Sequence, residues 1–255
     1  MSSTLLSSRA ERPGLTALVP VYNEVDTIEE IIVRLERIPL VRQIVVVDDG
    51  SNDGTREIIA RLAADGRVAA ALHERNRGKG AALRSGLSLI DQPYVIIQDA
   101  DLEYSPSDFA RLMDVVAERG ARVVYGSRFM SDTRSGMLWT HYLGNRGLTL
   151  AFNLLFFRWI TDMETCYKLF ATDLLLQLGI DNDRFDVDPE LTAKAVRAGE
   201  RIHEVPVTYV GRPYHAGKKI KPADAFSALQ TLLRYRRWRP AYYPAIVNAS
   251  RTIDH

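Results

Sequence analysis

The sequence predicts an α/β protein in which a mostly parallel sheet is flanked by helices. Short, continuous apolar runs alternate with amphipathic stretches through the first half of the chain. Such runs are typical of strands buried on both faces, and their alternation with helices implies parallel pairing with right-handed crossovers. Each run also ends in a group of polar residues, and open α/β sheets bind ligands at the carboxyl ends of their strands. The strands are predicted at residues 15–21, 43–47, 68–72, 93–97 and 121–125.

Apolar residues at helical spacing predict the helices between these strands. In residues 27–38, for example, Ile28, Ile31, Ile32 and Leu35 recur every three or four positions. The stretch at 148–160 is rich in Leu and Phe, and its length suits a helix that is either buried in the core or lies at a membrane interface. The helices are predicted at 27–38, from Asn52 or Asp53 through Leu62, at 78–89, at 148–160, from Asp186 or Asp188 through Val196, and, as a C-terminal amphipathic helix, at 223–237.

Length and composition fit one large α/β domain. Of the 255 residues, 46% are hydrophobic and 25% are charged, which are ordinary values for a globular protein. The formal net charge of +1 argues against a general nucleic-acid binder. The single cysteine, Cys166, excludes an internal disulfide and fits a reducing compartment. We expect tails at 1–12 and 240–255 and a domain at 13–239, with halves at 13–125 and 126–239.

The distribution of apolar and basic residues predicts where the protein is found. No apolar stretch reaches the ~18 residues of a membrane span, and residues 1–12 lack the apolar core of a signal peptide. We therefore expect a cytoplasmic protein, free or resting on a membrane surface. Between Gly211 and Arg239, eight basic residues stand against one acid, among Tyr and Trp. This pattern favours an anionic membrane surface, although a solvated C-terminal helix explains it equally.

Three acidic residues follow the fourth strand, and they predict a metal site. Asp99, Asp101 and Glu103 alternate along one short segment. Burying these carboxylates unpaired would be costly or would force protonation. A hard divalent cation removes that problem, and Mg²⁺ or Mn²⁺ prefers such oxygen ligands, usually shared with substrate phosphates. The alternative is a solvated acidic turn.

Other strands also end in polar groups. Residues 20–24 offer backbone groups, a ring and a carboxylate, and residues 48–51 offer carboxylates suited to a ribose or a base edge. Residues 76–80 open a helix, so their amides and Lys79 are placed to face a diphosphate, although a simple loop-to-helix turn explains the two glycines as well. The Walker A spacing is absent, and no Gly-x-Gly-x-x-Gly follows the first strand, which weighs against a nicotinamide-dependent enzyme.

Taken together, residues 20–24, 47–51, 76–80 and 99–101 resemble the corresponding segments of the family 2 glycosyltransferases of GT-A fold. More narrowly, they are similar to those of the polyprenyl-phosphate (dolichyl-phosphate) sugar transferases. The resemblance implies a Rossmann-like GT-A domain that binds Mg²⁺ or Mn²⁺. It also implies an inverting, metal-dependent transfer of a sugar from a nucleotide diphosphate, GDP-mannose or a UDP-hexose, to a polyprenyl phosphate, as in the synthesis of cell-envelope glycans.

The resemblance also assigns roles on the donor side. In the family, the acid after the second strand holds the base or ribose, which points to Asp49 with Asp48 beside it. The Asp-x-Asp pair and the residue two positions further bind metal, which implies Asp99, Asp101 and Glu103, where many relatives carry Gln at the last position. The expected donor-binding residues are Pro20, Tyr22, Glu24, Asp48, Asp49, Lys79, Asp99, Ala100, Asp101, Arg212 and Lys218.

On the acceptor side, the expectation depends on the acceptor's chemistry. A phosphate is already ionised near neutral pH and needs cations to dock it, for which Arg128, Arg134 and Arg146 are the candidates. A hydroxyl acceptor would instead need a carboxylate base. Asp162, Glu164 and Glu190 compete for that role, and Glu190 lies in a segment similar to one that reaches the family's active site. The residues expected in catalysis are Asp99, Asp101, Glu190 and Arg128.

Two other functions stay open at this point. One is a soluble transferase of the same fold acting on a sugar or small-molecule hydroxyl, and the other is a non-catalytic protein that binds nucleotide sugars. The identity of the sugar, the nucleotide and the oligomeric state are open as well.

Overall fold

The protein is built on a mixed β-sheet, seen in a computed structural model that describes residues 12–131, 134–212 and 222–240. The strands in these ranges are β1 (Leu15–Val21), β2 (Val41–Asp48), β3 (Ala69–Leu72), β4 (Tyr94–Ile97), β5 (Val123–Ser127), β6 (Arg134–Ser135), β7 (Lys168–Ala171), β8 (Ile202–Pro206) and β9 (Tyr209–Val210). Seven of them form one sheet in the order β3-β2-β1-β4-β7-β5-β8, and β6 pairs separately with β9. This mostly parallel sheet confirms the predicted α/β class.

Helices flank the sheet, as the amphipathic pattern predicts. Those described are α1 (Ile28–Glu36), α2 (Thr55–Ala64), α3 (Lys79–Leu87), α4 (Phe109–Arg119), α5 (Trp139–Phe156), α6 (Thr172–Leu178), α7 (Val187–Arg197) and α8 (Pro222–Tyr235), with a single 3₁₀ turn at Pro106–Asp108 before α4. In none of the described ranges does a helix combine the length and hydropathy needed to cross a bilayer. Of the predicted tails at 1–12 and 240–255, residues 1–11 and 241–255 lie outside the described residues.

The register of the first strands determines where the polar residues meet. Strand β1 pairs in parallel with β2 and with β4, so that Val21 lies opposite Asp48 and Leu18 opposite Ile97. Strand β3 pairs in parallel with β2. Because parallel strands end at the same edge, the segments after β1, β2 and β4 come together there. The predicted parallel arrangement of the first four strands is confirmed.

Strand β7, which the apolar pattern does not predict, is inserted between β4 and β5. It runs antiparallel to both, with Ile96 opposite Leu169 and Tyr125 opposite Lys168. Its first residue, Lys168, therefore lies at the edge where β4 ends. This insertion carries the segment 161–167 to the same edge as the acidic residues after β4.

Helix α5 differs from its prediction, because it begins nine residues before the expected start at 148 and ends at Phe156 rather than 160. Phe157 has a φ of 52°, in the left-handed region that ends a helix, and its N–H bonds to the carbonyl of Asn153. The Asn153 amide also exchanges two hydrogen bonds with the backbone of Ile160 (2.9 and 3.1 Å). These bonds reverse the chain after the helix.

A second, smaller apolar cluster lies beside the main core and joins α5 to α8. Phe152 and Phe156 of α5 pack with Leu232 and Tyr235 of α8, and Met163 completes the cluster. The two rings of α5 are stacked at 4.8 Å between centroids. Ala193 of α7 belongs to the same cluster, so helix α8 is attached to the domain through both α5 and α7.

Candidate active site

A cavity of about 970 Å³ opens at the carboxyl edge of the sheet and joins both halves of the domain. The segments after β1, β2 and β4 and the start of α3 supply one side of it, and residues from β5 onward supply the other. This is the edge at which the strand pattern predicts ligand binding. Its lining residues include Pro20, Tyr22, Glu24, Asp49, Asn76, Gly78, Lys79, Asp99, Ala100, Asp101, Glu103, Arg128, Met137, Leu138, His141, Arg184, Phe185, Tyr209 and Arg212.

The acidic segment after β4 lies in the cavity wall and carries excess negative charge. Burial, together with the neighbouring charges of Asp99 and Glu103, raises the pKa of Asp101 to about 7. Glu103 accepts hydrogen bonds from the Tyr209 hydroxyl and from the backbone N–H of Arg212, both at 3.0 Å. The Asp101 carboxylate accepts one from the N–H of Glu103 (3.1 Å). The arrangement favours a cation placed next to Asp101.

The predicted set of three metal ligands is not assembled in the described residues. No group of three or more acidic, His or Cys side chains there is positioned to hold a metal ion. Asp99 instead pairs with Lys79 (3.0 Å), and Glu103 is held by its two hydrogen-bond donors. The carboxylate oxygens still suit a hard cation such as Mg²⁺ or Mn²⁺. Asp101, in the cavity wall, is the carboxylate of this segment that could hold such an ion.

Lys79 lines the cavity, but protein carboxylates already hold its ammonium. Its Nζ lies 3.0 Å from Asp99 and 3.6 Å from Asp188. Burial by itself lowers the pKa of Lys79, but the charges of Asp188 and Asp99 outweigh that effect and hold the pKa well above its usual value. Lys79 therefore stays charged and lines the cavity, so its expected role in facing a diphosphate stays a prediction.

The start of α3 is likewise not an open anion site. The backbone N–H groups of Arg77 and Gly78 donate to the two carboxylate oxygens of Asp49, at 2.9 and 2.7 Å. The imidazole of His73 lies 2.7 Å from the same carboxylate through Nδ1. Asp49 thus takes two of the amides that the sequence assigns to a diphosphate, those of Arg77 and Gly78, while remaining in the cavity wall.

Asp48, which was expected beside Asp49 in the donor site, is not at the cavity. Its side chain is fully buried and pairs with Arg56 (2.7 Å) and the N–H of Ser51 (3.1 Å). Successive residues of a strand point to opposite faces, which separates these two neighbours. Asp48 organises the turn after β2 and does not contact the cavity.

Arg128 is presented to the cavity by a buried carboxylate. Asp162 binds its guanidinium at two points, both 2.7 Å, and also accepts the Arg128 backbone N–H (3.0 Å). The guanidinium lies 5.5 Å from the ring centroid of Tyr209. Asp162 has no exposed surface, so it is not placed to act as the carboxylate base for a hydroxyl acceptor; it orients Arg128 instead.

Glu190 also lies outside the cavity, contrary to its expected catalytic role. Its fully buried carboxylate accepts from the backbone N–H groups of Asp181 (2.7 Å) and Asn182 (2.9 Å) and pairs with Lys194 (2.6 Å). These contacts hold the loop before α7, which delivers Arg184 to the cavity wall. Glu190 is a residue that positions this loop.

The remaining predicted cations divide into three cases. Arg212 lines the cavity, where it bonds to Glu24 (2.6 Å) and to the backbone oxygen of Asp101 (2.8 Å). Arg146 is exposed on α5, contacts the carbonyl of Thr161 (3.4 Å) and does not line the cavity. The side chain of Arg134 and all of Lys218 lie outside the described residues.

Glu164 is half-buried near Arg128, and one of its carboxylate oxygens is buried and unsatisfied. Its Oε1 has no hydrogen-bond partner among the described residues. Burial, and next the charge of Asp188, raise the pKa of Glu164 to about 7, although Lys168 and Arg128 oppose the shift. Glu164 does not line the cavity.

Several cavity residues have no assigned role in the sequence analysis. Tyr209 and Phe185 form part of the wall, and His141 and Arg184 add polar groups to it. The loop carrying Arg184 is pressed against α3, where the N–H of Ala81 donates to the carbonyl of Asp183 (3.0 Å). No local pattern marks these residues, because they reach the cavity only through contacts distant in sequence.

Comparisons with known proteins agree with this site. The sequence profile described as "Glycosyl transferase family 2" matches residues 16–179. Glycosyltransferase AglJ of Haloferax volcanii is 30% identical over 238 residues, covering 92% of this chain and 76% of the relative. The undecaprenyl-phosphate mannosyltransferase of Micrococcus luteus is 29% identical over 210 residues, covering 76% of this chain and 83% of the relative.

A solved structure shows the same fold at lower identity. Glucosyl-3-phosphoglycerate synthase from Mycobacterium tuberculosis, crystallised with Mn²⁺, UDP and glucosyl-3-phosphoglycerate, has a TM-score of 0.66 and 21% identity, and the match covers 88% of this chain and 80% of the synthase. The GT-A-like fold expected from the sequence is thereby confirmed. The family match over residues 16–179 and the cavity at the ends of β1, β2 and β4 lead to one conclusion: the chain belongs to glycosyl transferase family 2 and is a glycosyltransferase.

Proposed function

We propose that the enzyme transfers a hexose, with inversion, from a nucleotide diphosphate to a polyprenyl phosphate in a metal-dependent reaction. The observation that carries the proposal is that one cavity places the acidic end of β4 and the buried arginine Arg128 together. The first suits a metal-bound diphosphate, and the second suits a phosphate nucleophile. The Micrococcus luteus relative is an undecaprenyl-phosphate mannosyltransferase, and this supports the acceptor class.

The donor would occupy the half of the cavity formed by the first four strands. Tyr22 and Pro20 offer a ring surface and backbone groups beside Asp49, whose carboxylate faces the ribose or the base in this proposal. Arg212 lies next to Asp101, where the diphosphate would be bound. When bound between Asp101 and the diphosphate, Mg²⁺ or Mn²⁺ would neutralise the charge that develops on the leaving group.

The acceptor would enter from the side of Arg128. The planar guanidinium is fixed by Asp162 and donates to the phosphate in this proposal, so that one phosphate oxygen attacks the anomeric carbon. The bond from that carbon to the diphosphate breaks as the new carbon–oxygen bond forms on the opposite face, which inverts the configuration. The phosphate is already ionised, so no side chain has to remove a proton. His141 and Arg184 are further polar groups of the wall.

A lipid phosphate acceptor implies a place of action. Nucleotide sugars and the acceptor head group meet at the membrane surface, so we place the enzyme at the cytoplasmic face as a peripheral protein. The domain limits 13–125 and 126–239 correspond in this proposal to the donor and acceptor sides of the cavity.

A transfer assay with labelled donors tests the proposal. The purified protein is incubated with Mn²⁺ or Mg²⁺, a short-chain polyprenyl phosphate, and GDP-mannose, UDP-glucose or a UDP-acetamidosugar in separate reactions. We expect a labelled lipid-phosphate sugar with one donor, lost on chelation of the metal. Parallel reactions carry the dephosphorylated polyprenol and 3-phosphoglycerate. Product with a hydroxyl acceptor, and none with the lipid phosphate, would replace the proposal with transfer to a hydroxyl.

A further inference from the structure

Helix α5 is apolar on its solvent-facing side as well as on its buried side. Trp139, Leu143, Leu150 and Leu154 are 69%, 53%, 51% and 60% exposed, and Phe157, directly after the helix, is 79% exposed. Their spacing of four, seven, four and three residues places them on one face. We call this row of five side chains the α5 stripe. It extends along roughly 27 Å of the surface at 1.5 Å per residue.

The α5 stripe has no function in the core. The opposite face of the helix, with Phe152 and Phe156, already supplies the cluster that joins α5 to α8. Single exposed apolar side chains are common on soluble proteins, but five on one face, interrupted only by the turn that carries Arg146 and Gly147, mark an interaction surface. A second exposed tryptophan, Trp159 (78%), lies just beyond Phe157.

The charges around the α5 stripe are positive. No Asp or Glu occurs between Arg134 and Thr161, whereas arginines stand at 134, 146 and 158. Helix α8, which packs on α5, ends in further exposed arginines at 234, 236 and 237. A two-fold contact between copies of this chain would bring the arginines of α5 close to one another. An anionic lipid surface instead pairs with them while accepting the apolar side chains.

One end of the α5 stripe adjoins the cavity. Leu138 and His141, beside Trp139 at the start of the helix, line it. The ring of Trp139 stacks on that of Tyr142 (5.3 Å between centroids), and Tyr142 contacts Phe129 edge-on (5.4 Å). Aromatic side chains of this kind are enriched at the level of lipid head groups. A head group taken up beside Trp139 is therefore close to the mouth of the cavity.

We infer that the α5 stripe is a docking surface for an anionic lipid bilayer. Helix α5 then lies in the plane of the membrane interface, and the mouth of the cavity faces the lipid phosphates. That the bilayer supplies the acceptor rests on the proposed function. That the α5 stripe docks on the bilayer does not. Binding then combines burial of the apolar row with attraction between arginines and anionic head groups, so it weakens as salt rises.

Vesicle binding tests the inference with the intact chain. Vesicles of phosphatidylcholine with about one-third phosphatidylglycerol are titrated into the protein, and co-sedimentation and tryptophan emission are followed. We expect binding, a blue shift and quenching by brominated lipid, because Trp139 and Trp159 are exposed in the free protein. The double variant Leu150→Gln/Leu154→Gln should bind at least about tenfold more weakly, since each residue buries an apolar side chain on docking.

A matched control is Leu176→Gln, which replaces a leucine of equal exposure (53%) on α6 and should bind vesicles like the wild type. Unchanged vesicle binding by the double variant would overturn the inference, as would a concentration-dependent dimer that buries the tryptophans without lipid. Turnover of a water-soluble short-chain polyprenyl phosphate is measured alongside and should be equal in all three proteins. Vesicle binding without turnover would refute the proposed function alone, and turnover without vesicle binding would refute the docking surface alone.

Discussion

Replacing Glu164 with glutamine should stabilise the folded protein at neutral and alkaline pH. Glu164 is half-buried, its buried Oε1 lacks a hydrogen-bond partner among the described residues, and the charge of Asp188 lies nearby. Together, burial and this negative charge raise the pKa of Glu164 from 4.5 to about 7. A neutral amide of nearly the same shape avoids the unfavourable charge. Most core substitutions destabilise, so the predicted sign is a stringent test.

The magnitude follows from proton linkage. The unfolded chain releases the Glu164 proton near pH 4.5 and the folded chain only near pH 7. Between these values the folded state binds more protons, so the free energy of unfolding falls as pH rises. The shift of about 2.5 pKa units corresponds to at most ~3.4 kcal/mol, at 1.36 kcal/mol per unit. The advantage of Glu164→Gln should therefore grow by up to ~3 kcal/mol from about pH 4.5 to about pH 8.

Urea unfolding of wild type and variant at several pH values measures this difference, and comparing the two proteins cancels the other titrating groups. Glu190→Gln is a matched control, because that buried glutamate is paired with Lys194 and two backbone N–H groups. It should lose about 3–5 kcal/mol at neutral pH. The reasoning is refuted if Glu164→Gln is no more stable than the wild type at about pH 8, or if its advantage is the same at about pH 4.5.

Four further predictions concern the cavity and its supports. Asp101→Asn should lower kcat by about 10²–10³ without lowering the melting temperature of the ligand-free protein, as transfer assays and thermal melts would show. Asp162→Asn should destabilise the protein by about 3–5 kcal/mol in urea unfolding and raise the KM for the acceptor, because Arg128 loses its ionised partner. Gly80→Ala should destabilise by about 1–3 kcal/mol, since its Cβ would overlap the carbonyl oxygen of Asn182. Calorimetric titrations should show nucleoside diphosphate and Mn²⁺ raising each other's affinity about 5–150-fold, and independent binding would contradict that expectation.

The parts of the site predictable from the sequence are those controlled by topology. Apolar runs placed the first four strands, and parallel pairing then required residues 20–24, 48–51 and 99–103 to meet at one edge. Strand β7 was missed because a four-residue run beginning with Lys168 gives too short a pattern to distinguish. The early start of α5 is not predicted because residues 139–147 include Gly144, Asn145, Arg146 and Gly147, so they show no apolar repeat at helical spacing.

Side-chain partners were beyond the reach of sequence reasoning. Arg128 and Asp162 are 34 positions apart, and each is plausible alone as a residue that meets substrate. Only the antiparallel course of β7 brings Asp162 under Arg128. In the same way, the sequence favours a catalytic role for Glu190, whereas in the structure the backbone N–H groups of residues 181 and 182 bind its carboxylate. The residue type predicts which kinds of group a side chain can bind. Which group it does bind depends on loops that are distant in sequence and come together only in the folded protein.

The charges of the donor half explain why metal and diphosphate should bind together. Lys79 is paired with Asp99, and Arg212 with Glu24, so these two cations already have carboxylate partners. The acids nonetheless exceed them, and the charges of Asp99 and Glu103 add to the effect of burial in raising the pKa of Asp101. A diphosphate alone would add charge of the same sign to that wall. A divalent cation offsets this negative charge and so raises the affinity for the diphosphate. By linkage, the diphosphate must raise the affinity for the cation by the same factor.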